Sequence, residues 1–556
     1  MINKTAFITI LVILLTWPAG RAAEGETAPP DEKAAAYMKV DRFVTENAPS
    51  GFVLAPEGQF VAAFNDEVAA WIGGKIDRQL MEKIKKALAP RLEIELNKQG
   101  FASAASREAG GGQDETNYDA IWVRDNVWIY YSLLADPARK ADARRLILAL
   151  WDYYATDAQV ARFKNIIQSP GLALDQMAVP HIRFDSRSPD FSDVMVAGKP
   201  EAWNHRQIDA HGIFFTALGE AFENGLLKPK DLDKKRFLVL SLYPLFLDKI
   251  GFENYEDAGA WEEIPRINTS SIALATRSLQ VWKNLLYREN RPPLKDIREK
   301  FGAMIKKAKP SGPVGRAWTE DAMDSLIGMG MRRVKYQLEL GGESPDYPPD
   351  DVHFRLADMA LVFVIRPSAL EGLSEEEFRK ILLITEALRR PCGYIRYVND
   401  SYQSGNYWIQ KPEEDLKDKP ALTGDTSSKE AFLWRLGRLI PDTEAQWFFD
   451  SILCSARLYL AGKTADPKKR RDDIHAATVH LKRALGQITG GSIASDGNPV
   501  REWQTPESIN TVVIDGKKAC LPSPITPLNW AKAALAMALG EYESVVLEQP
   551  APAGGI

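Results

Sequence analysis

The chain has 556 residues and a mass of 62.0 kDa, enough to bury a large core without metal or disulfide staples. Its 70 basic and 75 acidic residues give a net charge of −5 with no basic block, which argues against a nucleic-acid backbone as partner. Cys392, Cys454 and Cys520 are too widely spaced for a CxxC metal site and allow at most one intramolecular disulfide, and six scattered histidines argue against zinc; calcium on loop carboxylates stays open.

Residues 1–23 read as a secretory signal peptide. Met1-Ile2-Asn3-Lys4 precedes an apolar run over 5–18 and a small-residue end, Ala19-Gly20-Arg21-Ala22-Ala23, with cleavage expected near Ala22 or Ala23. Loss of Lys4 and Arg21 with this leader takes the charge to −7. The run is short for a membrane span, and no cysteine marks a lipidation boundary. The expected product is exported, periplasmic or secreted, with no integral membrane contact.

Residues 24–98 read as an N-terminal helical extension. A polar, proline-containing lead-in is followed by helical patterns over 34–96, clearest at 76–88, where Leu80, Ile84, Ala87 and Leu88 share a side and Pro90 ends the run. The segment either packs on the main domain or forms a small module. A glycine-rich tract over 103–116 predicts a loop.

Helices are then expected over 118–134 and 141–154, followed by an irregular stretch over 167–200 and an apolar pattern through Ile213, Phe214, Ala217, Leu218, Ala221 and Phe222. Further helices are expected at 236–249 with a kink at Pro244, 269–286, 297–307, 319–331, 357–364, 374–389, 443–460, 472–489 and 528–547. Ser374 and Glu377 have capping-box spacing. Strands have little room between these runs, and residues 490–527 read as a long polar loop. Helix on helix without βα alternation predicts an all-α layer architecture, and the lack of a short repeat favours a closed ring over a solenoid.

Several polar and aromatic clusters fall between or at the starts of these helices. Trp122-Val123-Arg124-Asp125 suits a sugar clamp, because guanidinium and carboxylate bond hydroxyls while an indole covers the apolar sugar face; it equally suits a structural pair at a helix start. Trp203-Asn204-His205-Arg206-Gln207-Ile208-Asp209 reads either as a second polar rim or as a helix cap with an Arg206–Asp209 pair. His205 and His211 lack a partnering serine motif and read as structural. Trp261-Glu262-Glu263 lies in a loop punctuated by Gly259 and Pro265, and two adjacent carboxylates in an apolar site leave one protonated near neutral pH, as a general acid requires. The alternative is a solvated acidic loop. A polar aromatic loop from Arg396 to Trp408, containing Tyr402, suits stacking on a sugar or an ordinary ordered surface.

Taken in order, these segments resemble the glucoamylase-type glycoside hydrolases and the related glucoamylase-like domain of phosphorylase kinase alpha and beta subunits. Trp122 to Asp125 resembles the family's aromatic-x-Arg-Asp segment, which holds the non-reducing sugar, and Trp203 to Asp209 its Trp and Gln-x-Asp segment. Trp261-Glu262-Glu263 resembles the general-acid segment, whose first glutamate is the acid and whose second binds sugar. The loop with Tyr402 and Trp408 resembles a substrate-face loop, and Pro527-Leu528-Asn529-Trp530 the Leu-Thr-Trp helix start, with asparagine for threonine. For the base, Pro506-Glu507-Ser508 is the nearest match, with serine where the family has glutamine, and Glu502 is the alternative.

The resemblance implies an (α/α)6 toroid over 99–548, six inner helices circled by six outer ones, followed by a flexible tail over 549–556. It implies an inverting glycosidase, exo-acting on α-linked glucosides or glucans, with Glu262 as acid and Glu507 as base. Trp122, Arg124, Asp125, Trp203, Asp209, Trp261, Glu263, Tyr402 and Trp408 would hold the substrate, an oligosaccharide or polysaccharide, with no metal and no cofactor. A non-catalytic glycan-binding protein on the same toroid is the competing reading. A regulatory helical domain is a third, against which export stands. Sugar identity, linkage and oligomeric state are left open.

Overall fold

The computed structural model describes residues 51–105, 118–187, 190–196, 198–288, 294–307, 312–405, 429–495, 497–514 and 517–548. The predicted signal peptide, the tail over 549–556 and Trp408 lie outside the described residues. Among the described residues no helix is long and apolar enough to cross a membrane.

Six elements form a closed inner ring: Val123–Ala135, Ile208–Glu223, Thr269–Tyr287, the 3-10 element Met359–Val364, Phe449–Lys463 and Asn529–Tyr542. Each packs on the next and the last packs on the first. Ile208–Glu223 shows why such helices lack a clear amphipathic stripe: only Glu220 and Glu223 escape burial, because neighbours cover every side. Outer helices are half-covered. Lys140–Tyr154, Lys234–Ile250, Glu320–Leu340, Glu375–Glu386 and Pro467–Gly486 back the ring in chain order. The chain therefore forms an all-α (α/α)6 toroid.

The sixth outer place is taken by the start of the described chain. Asp66–Gly73 and Arg78–Leu88 bury Trp71, Ile72, Met81, Ile84 and Leu88 in one cluster with Leu485 of the fifth outer helix and Leu535 and Leu539 of the last inner one. Of the two placements open from the sequence, packing on the ring is the one seen.

Close approach of the inner helices depends on Gly212. A Cβ built there would lie 2.5 Å from the Leu274 carbonyl carbon and 2.6 Å from the Ala275 nitrogen, both backbone atoms of the next inner helix. Gly212→Ala is expected to cost about 3 kcal/mol of stability through forced separation of the two helices. Denaturant unfolding checks this, and unchanged stability would contradict the packing.

The structure corrects the secondary-structure reading in several places. Gly51–Leu54 and Phe60–Ala63 form an antiparallel hairpin where helical patterns were expected. The expected loop over 490–527 carries a second hairpin, Ser508–Ile514 with Lys517–Pro522, whose Ile509, Val512, Ala519 and Leu521 enter a small core. This hairpin heads a five-stranded antiparallel sheet completed by Gln446–Trp447, Gly393–Tyr394 and Arg389–Arg390. Pairing of Gln446 and Trp447 in the sheet delays the helix expected from 443 until Phe449. Pairing of Ile121 and Trp122 with Phe184 and Arg183 likewise delays the helix expected from 118 until Val123. The helix expected over 319–331 runs on to Leu340, and 357–364 becomes a 3-10 turn ended before Pro367. The Ser374–Glu377 capping box forms as expected.

Candidate active site

All six inner elements present their N-terminal ends to the same end of the toroid, and the pocket lies there. Trp122, Arg124 and Asp125 open the first inner helix, Glu262 and Glu263 precede the third, Trp447 precedes the fifth, and Leu528 and Trp530 open the sixth. With Ala104, Tyr118, Trp203, Ala260, Trp261, Arg396, Tyr402 and Glu507, these residues line the pocket. Converging helix N-termini direct partial positive charge at this point, which suits a site rich in carboxylates and hydroxyls.

The loop bearing Glu262 is closed at its base by paired backbone bonds between Asp257 and Arg266, each 2.9 Å. Asp257 also accepts from the Ile208 N–H at the start of the second inner helix, tying loop to ring. Within the loop Gly259 and Glu262 both take left-handed backbone, with φ of +58° at each. At Glu262, a residue with a full side chain, that conformation is uncommon and is sustained by the surrounding contacts.

Glu262 lies against Arg124, with Nη1 3.4 Å from its Oε1, and takes a hydrogen bond from Trp122. Burial raises its carboxyl above the ordinary range, against the charges of Arg124 and Arg183 and the Trp122 bond. Arg124 is fixed from behind: Nε donates to Asp209 Oδ2 at 2.8 Å and Nη2 to Gln207 Oε1 at 2.7 Å. Burial likewise raises Asp125, to about 7, with Arg124 opposing and Glu262 adding to the shift.

Glu507 enters the pocket from the first residue before the hairpin. Its backbone N–H donates to Ile525 O at 3.0 Å, Tyr118 Oη donates to Oε1 at 2.9 Å, and Gln403 Nε2 donates to Oε2. Burial pushes its carboxyl up to about 7 against the donations from Tyr118 and Gln403 and the charge of Arg396, with Asp125 adding to the rise.

Glu263 also lines the pocket, with its oxygens engaged by neighbouring side chains. It is fully buried, with Oε1 bound by Arg396 and Tyr397 and Oε2 by Arg355. Burial alone would raise this carboxyl, but Arg396, Arg355 and Arg266 overcome that and hold it at about 2. Arg396 is thereby pinned between Glu263 and Asp400, its guanidinium among the rings of Trp261, Tyr402 and Trp447.

Aromatic walls complete the pocket. Trp122 and Trp203 meet edge to face at 6.0 Å, with the Arg183 guanidinium 4.7 and 4.1 Å from their ring centres. The Trp261 indole N–H donates to Asp358 Oδ1 at 2.8 Å. Among the described residues, the buried indole N–H groups of Trp203, Trp447 and Trp530 have no acceptor.

Of the residues singled out from sequence, Trp122, Arg124, Asp125, Trp203, Trp261, Glu262, Glu263, Tyr402 and Glu507 come together here. Asp209 lies beneath Arg124 and does not line the pocket. Glu502 is exposed and outside it. The expected Arg206–Asp209 pair is not formed: Asp209 bonds Arg124, while Arg206 bonds Tyr255 Oη and the Glu256 carbonyl. His205 stacks on His181 at 3.6 Å, and His211 bonds Tyr154 Oη at 3.0 Å; both are core residues. Sequence reasoning did not single out Tyr118, Arg396 or Trp447. Tyr118 and Trp447 sat inside expected helices, and Arg396 carried no signal beyond its polar aromatic loop. Cys392, Cys454 and Cys520 are unpaired, and among the described residues no cluster of three or more His, Cys, Asp or Glu is arranged to hold a metal.

No family model matches the chain. Among curated proteins, "Uncharacterized lipoprotein YgeQ" of Escherichia coli (strain K12) is 38% identical over 163 residues, which is 28% of this chain and 61% of that protein. "Putative protein YgeP" of the same organism is 46% identical over 52 residues, 9% of this chain and 52% of that protein. The chain thus spans less than two thirds of the length of either relative. Among solved structures, a "Glycosidase Wild Type" shares 13% identity at a TM-score of 0.45, covering 86% of this chain and 98% of that one. A glycoside hydrolase family 15 glucoamylase from Hypocrea jecorina shares 10% at 0.44, covering 84% and 73%, and a glucoamylase from Saccharomycopsis fibuligera shares 12% at 0.41, covering 90% and 99%.

Proposed function

We propose that the protein is an exported, inverting glycoside hydrolase, exo-acting on α-linked glucosides or glucans. The observation that carries this reading is the presence, in one aromatic pocket at the end of the ring, of two carboxyl groups with different partners, the partly buried Glu262 against Arg124 and the buried Glu507 against Tyr118 and Gln403. Glu262 gives its proton to the glycosidic oxygen, and Glu507 takes a proton from water attacking the anomeric carbon from the opposite face. Arg124 and Asp125 bond the hydroxyls of the terminal sugar, and the indoles cover its apolar faces. Glu263 acts on the sugar through Arg396, which it orients toward the pocket. A pocket floored by a closed ring favours a chain end over the middle of a chain.

Asp125→Ala is expected to lower kcat/KM by on the order of 2 kcal/mol, roughly 30-fold, because its bonds to sugar hydroxyls tighten in the transition state. Unchanged hydrolysis across a panel of α-glycans would remove Asp125 from the clamp. A pH profile tests the base. Glu507 works deprotonated and is raised to about 7, so kcat/KM should fall as the pH drops through that value, about tenfold per unit beyond it. A profile level down to about pH 5 would contradict this assignment.

A further inference from the structure

Gln403 does not line the pocket, yet its side chain ends on the proposed base. It is fully buried and holds φ at +57°, a left-handed backbone uncommon for a residue with a long side chain. Its Oε1 accepts from Asn510 Nδ2 at 2.9 Å and from Ser523 Oγ at 2.7 Å. Asn510 is itself held, donating to Ser495 Oγ at 2.9 Å and accepting from Ser508 Oγ at 2.7 Å. Ser508, standing where the glucoamylase resemblance expects glutamine, thus supports the residue that clamps Gln403.

Two donors on Oε1 fix which way the amide points. Turned over, it would set an oxygen against the Glu507 carboxylate and an NH2 against that of Asn510, two repulsive contacts in place of two bonds. The NH2 group therefore faces Glu507 Oε2, while Tyr118 holds Oε1. We propose that Gln403 is a positioning residue for the reaction, its amide locked by Asn510 and Ser523 so as to hold the Glu507 carboxylate in the orientation that presents it to water. This rests on the reading of Glu507 as the base. Tyr118, Tyr402, Arg396 and Asp125 are the titratable and charged groups that face the same carboxyl. Of these groups Arg396 favours the ionised form by charge, and Asp125 disfavours it.

Gln403→Met keeps the volume and removes the donor, and Gln403→Glu sets a second carboxyl opposite the first. Both should move the acidic limb of kcat/KM upward, by about one pH unit for methionine, a roughly tenfold loss below the limb that is recovered above it. Ser523→Ala, which removes one of the two clamps and leaves Gln403 in place, should move the limb in the same direction by less, and it serves if the Gln403 variants do not fold. Glu507 is titrated separately by 13C NMR of glutamate-labelled protein, its resonance assigned by loss in Glu507→Gln. This readout does not depend on turnover, so a failure of the base reading is seen apart from a failure of the proposal. A shift of the Glu507 titration to higher pH in Gln403→Met, or in Ser523→Ala, is the expected result. A Glu507 titration unmoved in a folded variant, with any rate loss equal at every pH, overturns it.

Discussion

Replacement of Glu507 by glutamine should leave the fold intact and lower turnover of every α-glycan by a factor of about 10² to 10⁴, including substrates with a good leaving group. The new amide can accept from Gln403 through its oxygen and donate to the Tyr118 hydroxyl through its nitrogen, so both existing contacts find a complement. What disappears is the only function an amide cannot perform, removal of a proton from the attacking water. Because that step is needed whatever group departs, an activated leaving group does not restore the rate. Steady-state rates on a glycan and on the matching glycosyl fluoride measure this directly. Full activity of the variant on either would take the base role away from Glu507.

Replacement of Glu262 by glutamine should give the complementary pattern. Hydrolysis of unactivated glycosides falls by about 10² to 10⁴, while a glycosyl fluoride, which departs without protonation, keeps most of its rate. The pocket supplies the physical cause: burial raises the Glu262 carboxyl and favours the proton-bearing form, and Arg124 at 3.4 Å stabilises the carboxylate left after transfer. Comparable losses on both substrates would show that Glu262 does not act as the acid.

The helices were legible because most of them are long runs bounded by loop residues, and boundaries with a local cap, as at Ser374 and Glu377, fell where the sequence put them. The sheet was missed for the opposite reason. Its strands at 389–390, 393–394 and 446–447 are two residues each and exist only because distant segments pair with them. The 508–522 hairpin did carry a local signal, the Asp-Gly pair at 515–516 between alternating apolar runs, although those two residues lie outside the described ones. In the pocket, residues lying beside a motif were found from sequence. Tyr118 and Gln403 were not singled out because each meets its partner far along the chain, as Gln403 does across 104 residues to Glu507, while Trp447 sat inside an expected helix and Arg396 carried no signal beyond its loop. Asp209 bonds Arg124 through Oδ2, and Glu263, which lines the pocket, bonds Arg396, Tyr397 and Arg355, partnerships that no local motif carries.

The stereochemistry of the product tests the central claim most directly. The full chain is incubated with α-linked oligosaccharides chosen from a glycan screen, and the anomer first released is followed by time-resolved proton NMR before mutarotation. Direct attack of water activated by Glu507, opposite a leaving group protonated by Glu262, predicts initial release of the β-anomer. Initial release of the α-anomer would contradict inversion, and absence of turnover on every α-glycan, with binding retained, would identify the toroid as a glycan-binding protein instead.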